Sequence, residues 1–186
     1  MTGALSADAR AVLRDWAPEG PEQSSLRHAY LGLLAARPDD ACLRACEPGH
    51  LTASAVLFDA AGEHVLLTLH PRVGLWLQLG GHCEPEDLSL AGAALREATE
   101  ESGIDGLVVD PDPVHLEVHP ITCSLGVPTR HFDVRFAVRA PAGAEPRRSD
   151  ESLDLRWWPV GALPPESGLE PMVAAARARL TAQRDG

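Results

Sequence analysis

Residues 80–104, GGHCEPEDLSLAGAALREATEESGI, close on three glutamates, Glu97, Glu100 and Glu101, within five positions. On a helix these stand at i, i+3 and i+4, so their carboxylates leave from one face while Leu90, Ala94 and Ala98 turn inward. Both ends of that helix are marked: Asp87 or Ser89 caps the start, and Gly103 with apolar Ile104 behind it ends it. Like charges at these spacings cost roughly 0.2–0.5 kcal/mol per pair. Only Arg96, four before Glu100, offers local relief, and glutamates oppose the negative C-terminal end of the helix dipole. The missing positive charge is what a hard divalent cation supplies, since Mg²⁺ or Mn²⁺ takes oxygen ligands and bridges to phosphates. The surroundings favour this over a merely solvated acidic face. Gly80 and Gly81 end a strand and let backbone approach a ligand closely, and an acidic, proline-containing loop follows.

Outward from this segment the texture is that of short strands. LTASAVLFD and HVLLTLH, separated by AAGE, form a hairpin pattern, and GLWLQL leads into the glycine pair. LVVD, VHLEVHP, RHFDVRFAVRA and LDLRWWPV follow, and a closing helix is expected from about Gly168 to Arg184. At the other end Ser6 is expected to cap a helix through Trp16, with a second from Pro21 to Ala36 carrying Leu26, Tyr30, Leu33 and Leu34 at helical spacing. Residues 1–48 thus read as a helical extension and 49–186 as the main domain. Strands around one central helix, with helices at both ends, imply an α/β sandwich with a mixed sheet.

The chain has 186 residues, of which 45% are hydrophobic, enough for the core of one domain. No apolar run is long enough to cross a bilayer and charges interrupt the start, so a cytoplasmic location is expected, with no membrane partner. Four cysteines are too few for a disulfide scaffold. A net charge of −11 argues against a general nucleic-acid binder. All the positive side chains are Arg and none is Lys, the codon usage of a GC-rich, bacterial genome.

With Gly81, Arg96, Glu97, Glu100, Glu101, Gly103 and Ile104 in place, the segment resembles the signature box of the Nudix hydrolases. The resemblance extends to the order of strands over about residues 50–160. It implies an α/β/α sandwich and a diphosphohydrolase that cleaves X linked to a diphosphate, typically a nucleotide derivative, by water attack at phosphorus. It implies Mg²⁺, with Mn²⁺ as a substitute, held directly by Glu97 and Glu101 with the carbonyl of Gly80 as an additional oxygen, and Glu100 as a ligand of a further ion or of bound water. Arg96 then orients the carboxylates through charge-assisted hydrogen bonds. One residue is inserted between Gly81 and Arg96 relative to the usual spacing, so the family's loop glutamate has two counterparts, Asp87 first and Glu84 next. The general base is Glu97 or, outside the box, Glu151 in RRSDESLDLRWW beside Asp150. Homodimers are frequent in the family, and the N-terminal helices serve either such an interface or a cap over the cleft.

Outside the box, Arg72 is placed to hold a terminal phosphate, against the plainer reading of an exposed turn residue. His131, Asp133 and Arg135 alternate with Phe132, Val134 and Phe136, and that polar face is a candidate substrate wall. His82 adjoins the metal loop in a supporting role, since Mg²⁺ prefers oxygen. Cys42, Cys46 and His50 recur every four residues, but Pro48 and Gly49 break the helix that would align them for zinc, and no fourth ligand is evident. Trp76, Trp157 and Trp158 fit the core better than a nucleobase stack. Two rivals remain: a Nudix-fold binding or sensor module that has lost catalysis, and an isoprenoid diphosphate isomerase using Cys83, whose flanking residues do not match that pattern.

Overall fold

The computed structural model describes residues 2–122, 126, 128–149, 152–165 and 167–182. Among the described residues, seven strands form one mixed sheet: β1 (His50–Phe58), β2 (His64–Leu69), β3 (Trp76–Leu77), β4 (Leu79–His82), β5 (Val108–Thr122), β6 (Pro128–Arg139) and β7 (Asp154–Pro159). Four helices in the described residues accompany them: α1 (Thr2–Asp15), α2 (Pro21–Ala36), α3 (Leu90–Ser102) and α4 (Glu170–Ala182). Strand order is β3-β2-β1-β6-β5, with β4 added to β1 and β7 to β2. Every neighbour is antiparallel except β1 and β6, which run parallel.

β1 is buried along its whole length because helices cover both faces of the sheet. Its odd residues Leu51, Ala53, Ala55 and Leu57 point to the side of α1, α2 and α3, where Leu5, Ala9, Leu13, Tyr30, Leu34, Leu90, Ala93 and Ala94 share one core cluster. On the other side, Val56 and Phe58 pack with Val65, Leu67 and Ala137 under Leu169, Met172, Val173, Ala176 and Leu180 at and before α4. The N-terminal helices are therefore part of the main core. No helix among the described residues is long and apolar enough to cross a membrane.

Two expectations change. α1 begins at Thr2 and not at Ser6, whose hydroxyl instead donates to the Pro38 carbonyl at 2.9 Å. Leu5, Ala9 and Leu13, four apart, are the buried stripe that extends the helix backward. LVVD and VHLEVHP are one strand, β5, despite Pro111 and Pro113 between them. β5 is the edge of the sheet, where a missing N–H costs little, and irregular register around Pro113 absorbs the prolines. Gln23 of α2 clasps this edge, its amide accepting from the Leu116 N–H at 2.7 Å and donating to the Leu116 carbonyl at 3.0 Å.

Candidate active site

α3 is held at both ends. Ser89, with extended backbone, accepts from the Gly92 N–H at 3.0 Å, and Gly103 takes the left-handed conformation with φ 63°. The Leu90 N–H, free in an isolated helix, donates at 2.8 Å to the carboxylate of Asp8 in α1. A negative group here also meets the positive end of the helix dipole. Burial pushes the Asp8 carboxyl above its ordinary value, and the Leu90 bond works against that rise.

Further along α3, one guanidinium organises the acidic residues. Arg96 donates to both oxygens of Asp87 at 3.1 and 3.0 Å, to Glu97 at 2.9 Å and to Glu100 at 3.2 Å, with a further bond to the His82 carbonyl at 3.0 Å. Glu84 lies 4.0 Å away. The hydrogen bond to Asp87 leads the causes that hold the Arg96 pKa above its ordinary value. Asp87 also accepts from the Glu84 N–H at 2.7 Å, so its oxygens close the loop and orient Arg96. Of the two loop carboxylates weighed from the sequence, Asp87 is the buried one that meets Arg96 in a bidentate pair. Four carboxylates converge on one cation and Glu101 stands next to them, half-buried on the same helix.

The glycine pair serves two different close approaches. A Cβ on Gly81 would come within 2.7–2.8 Å of the Glu97 carboxylate, so this glycine makes room for the box. Gly80 has φ 148°, and a Cβ there would lie 2.6 Å from Ser54 Cα and 2.7 Å from the Ala53 carbonyl oxygen. It lets β4 lie close against β1.

Arg72 is exposed in the turn between β2 and β3, where its backbone N–H donates to His70 Nδ1 at 3.3 Å, and no contact joins it to the carboxylates among the described residues. Glu151 and Asp150 lie outside the described residues. Cys83 is buried in the core with its thiol pKa pushed well up by burial, as an inert thiol should be. Trp157 packs with Leu155 in one cluster, and Trp76 meets Trp158 edge-on at 5.3 Å in another, with Arg156 over both rings.

These features have a counterpart in known proteins. The NUDIX domain family matches residues 48–183. The chain belongs to the Nudix family. As a Nudix-type diphosphohydrolase it falls among enzymes acting on phosphorus anhydrides. Among curated proteins no sequence matches. Solved structures share the fold: a NUDIX-family hydrolase from Clostridium perfringens at 23% identity and TM-score 0.53, covering 70% of this chain and 97% of that one. An ADP-ribose pyrophosphatase from Streptococcus suis follows at 20% identity and TM-score 0.50, covering 70% and 90%. The NUDIX domain of NrtR from Shewanella oneidensis, solved with ADP ribose, aligns at 22% identity and TM-score 0.51, covering 78% and 97%.

The Nudix sheet also carries a polar network on the side facing away from α3. The parallel register sets Thr52 beside Asp133 and Ser54 beside Arg135. Thr52, Ser54 and Gln78 donate to the fully buried Asp133 carboxylate at 2.9, 2.7 and 3.2 Å, and Arg135 Nε donates at 2.9 Å. Arg135 also pairs with Glu117 and meets His115 at 3.3 Å. Burial raises the Asp133 pKa, and the donated bonds oppose it; burial lowers Arg135 to about 10. Alternation in RHFDVRF does put His131, Asp133 and Arg135 on one face. Thr52, Ser54, Gln78 and Glu117 were missed, because Thr and Ser within an apolar strand look like ordinary strand residues until the register pairs them with charges.

Proposed function

We propose that this Nudix diphosphohydrolase cleaves the diphosphate linkage of a nucleotide derivative, with Mg²⁺, or Mn²⁺ in its place, held by Glu97, Glu100 and Glu101 and the Gly80 carbonyl. The observation that carries the reading is the charge imbalance around Arg96, where one guanidinium serves Glu84, Asp87, Glu97 and Glu100. An all-oxygen donor set with surplus negative charge fits a hard dication. When bound, such an ion neutralises phosphate oxygens and lowers the pKa of coordinated water.

The chain's own residues do the rest. Arg96 donates to Glu97 at 2.9 Å and fixes its rotamer, so that this carboxylate can take the proton of the attacking water; the bridging oxygen leaves with the departing phosphate as the P–O bond breaks. Asp87 holds Arg96 in register, and Gly81 leaves space for Glu97 to lie against β4. Glu151 stays the alternative base or accessory ligand. Arg72, at the tip of its turn, is assigned to the terminal phosphate; His131, on the sheet face opposite Glu97, lies outside the substrate cleft. Residues 1–48 act as an integral buttress, since Asp8 caps α3 and Gln23 clasps β5. The NrtR domain, solved with ADP ribose, and the ADP-ribose pyrophosphatase support a nucleoside diphosphate derivative as substrate class. The intact carboxylates favour hydrolysis over a purely sensing module.

The test is phosphate release, after coupling to a phosphatase, across a panel of nucleoside diphosphate derivatives with and without Mg²⁺, wild type beside Glu101→Gln. Metal-dependent release lost in the variant is expected. Silence of the wild type across the panel, or normal turnover by the variant, overturns the reading.

A further inference from the structure

We propose that His50, His82 and His131 form a second metal site, for a zinc-class divalent ion, on the face of the sheet opposite α3. The three come from separate strands. His131 pairs with His50 across β6 and β1, and His82 lies opposite Thr52 across β4 and β1, so all three share one face while Gly81 turns to Glu97 on the other. Their ring centroids are 4.9 to 5.1 Å apart. One ring nitrogen from each lies within 4.8 Å of the other two.

The chemistry of the nitrogens points the same way. His50 Nδ1 lies 3.4 Å from the Cys46 carbonyl, an acceptor, so its proton sits on Nδ1 and the lone pair on Nε2. That Nε2, and Nε2 of His131, are buried and have no hydrogen-bond partner among the described residues. Buried polar atoms are rarely left so, and a metal ion satisfies imidazole nitrogens directly. His82 and His131 are held neutral, their pKa values pushed down by burial to about 4 and about 3, and His50 is lowered too. Neutral imidazole is the ligand form. Zn–N bonds of about 2.0–2.1 Å put tetrahedral ligand nitrogens about 3.3 Å apart, so the rings need to close by at most about 1.5 Å.

Three imidazoles select zinc, cobalt, nickel or copper over magnesium, and leave a fourth position. Arg44 is close enough to disfavour added positive charge at all three rings. An anionic fourth ligand, hydroxide or a phosphate oxygen, offsets that charge. His119 stacks edge-on against His131 at 5.2 Å and borders the group. This site is separate from the Cys42, Cys46 and His50 series that the sequence brings to mind: only His50 is common to both, and Cys46 contributes its carbonyl.

The experiment is a Co²⁺ titration of the full-length chain, stripped with chelator and held in excess Mg²⁺, read by visible absorption. Four-coordinate nitrogen ligation gives intense d–d bands, whereas six-coordinate oxygen ligation at the carboxylates gives weak ones. Wild type is expected to take one equivalent with intense bands, discharged by Zn²⁺. The Glu97→Gln, Glu101→Gln double variant should keep them, and His82→Asn and His131→Asn should each lose affinity by at least tenfold. Absence of intense bands in wild type, their loss in the carboxylate variant, or their survival in both histidine variants overturns the site. If a histidine variant does not fold by circular dichroism, the wild-type and carboxylate-variant spectra decide alone. Hydrolytic activity is not read, so failure of the proposed function leaves this result standing.

Discussion

The carboxylate side of the sheet and its histidine side differ in how far apart their parts lie in the chain. On the first, Arg96, Glu97, Glu100 and Glu101 are neighbours on one helix, and Asp87 is nine residues from Arg96. On the second, His50, His82 and His131 meet only because β4, β1 and β6 are adjacent with a particular register. β4 supplies both sides with consecutive residues, Gly81 to one and His82 to the other. A helix makes local spacing into a site; a sheet makes register into one.

The largest expected effect is on the helical side. Glu97→Gln should lower turnover by on the order of 10²–10⁴-fold, the range of a lost general base, while Co²⁺ binding at the histidines is unchanged. If Glu151→Gln does the greater damage instead, the base lies outside the box.

The glycine pair sharpens the comparison. Gly80→Ala forces a Cβ onto Ser54 Cα and the Ala53 carbonyl at φ 148° and should cost about 2–4 kcal/mol in urea unfolding. Gly81→Ala meets only the end of the Glu97 side chain, which can swing away, so its stability should change little while turnover falls steeply. Equal effects on both measurements would mean that β4 does not separate the two sides as described.

Capping comes next. Asp8→Ala should destabilise the chain by about 1 kcal/mol, because it removes the acceptor for the Leu90 N–H at the start of α3. Turnover measured well below the unfolding temperature should fall far less than in Glu97→Gln. No change in stability would detach the N-terminal helices from the carboxylate helix.

The smallest and broadest effect concerns acid. In metal-free protein His82 sits at about 4, His131 at about 3 and His115 at about 4, each depressed first by burial. The unfolded chain takes up these protons near 6.5, before the folded one does. Stability should therefore be level above about pH 7 and decline as pH falls from about 6.5 toward 4. Thermal melts with and without His115→Asn check this. A midpoint that is flat across that window would show that the histidine face is solvated.

Much of the carboxylate side was legible in the sequence because helical periodicity, a serine cap and a left-handed glycine are local signals: α3 ends at Gly103 as expected, and α2 runs from Pro21 to Ala36 as read. Local signals also misled. Ser6 looks like a cap but lies inside α1, and Pro111 and Pro113 look like a break but sit within an edge strand. The sequence alone determined the family box, the α/β alternation and the polar face of RHFDVRF, each a matter of spacing within one element. Only the tertiary structure decided that Asp87 and not Glu84 holds Arg96 in a bidentate pair, that Asp8 caps α3, and that three distant histidines share a face. Those depend on strand register and on which helix covers which side, and such long-range pairings leave no periodic trace in the chain.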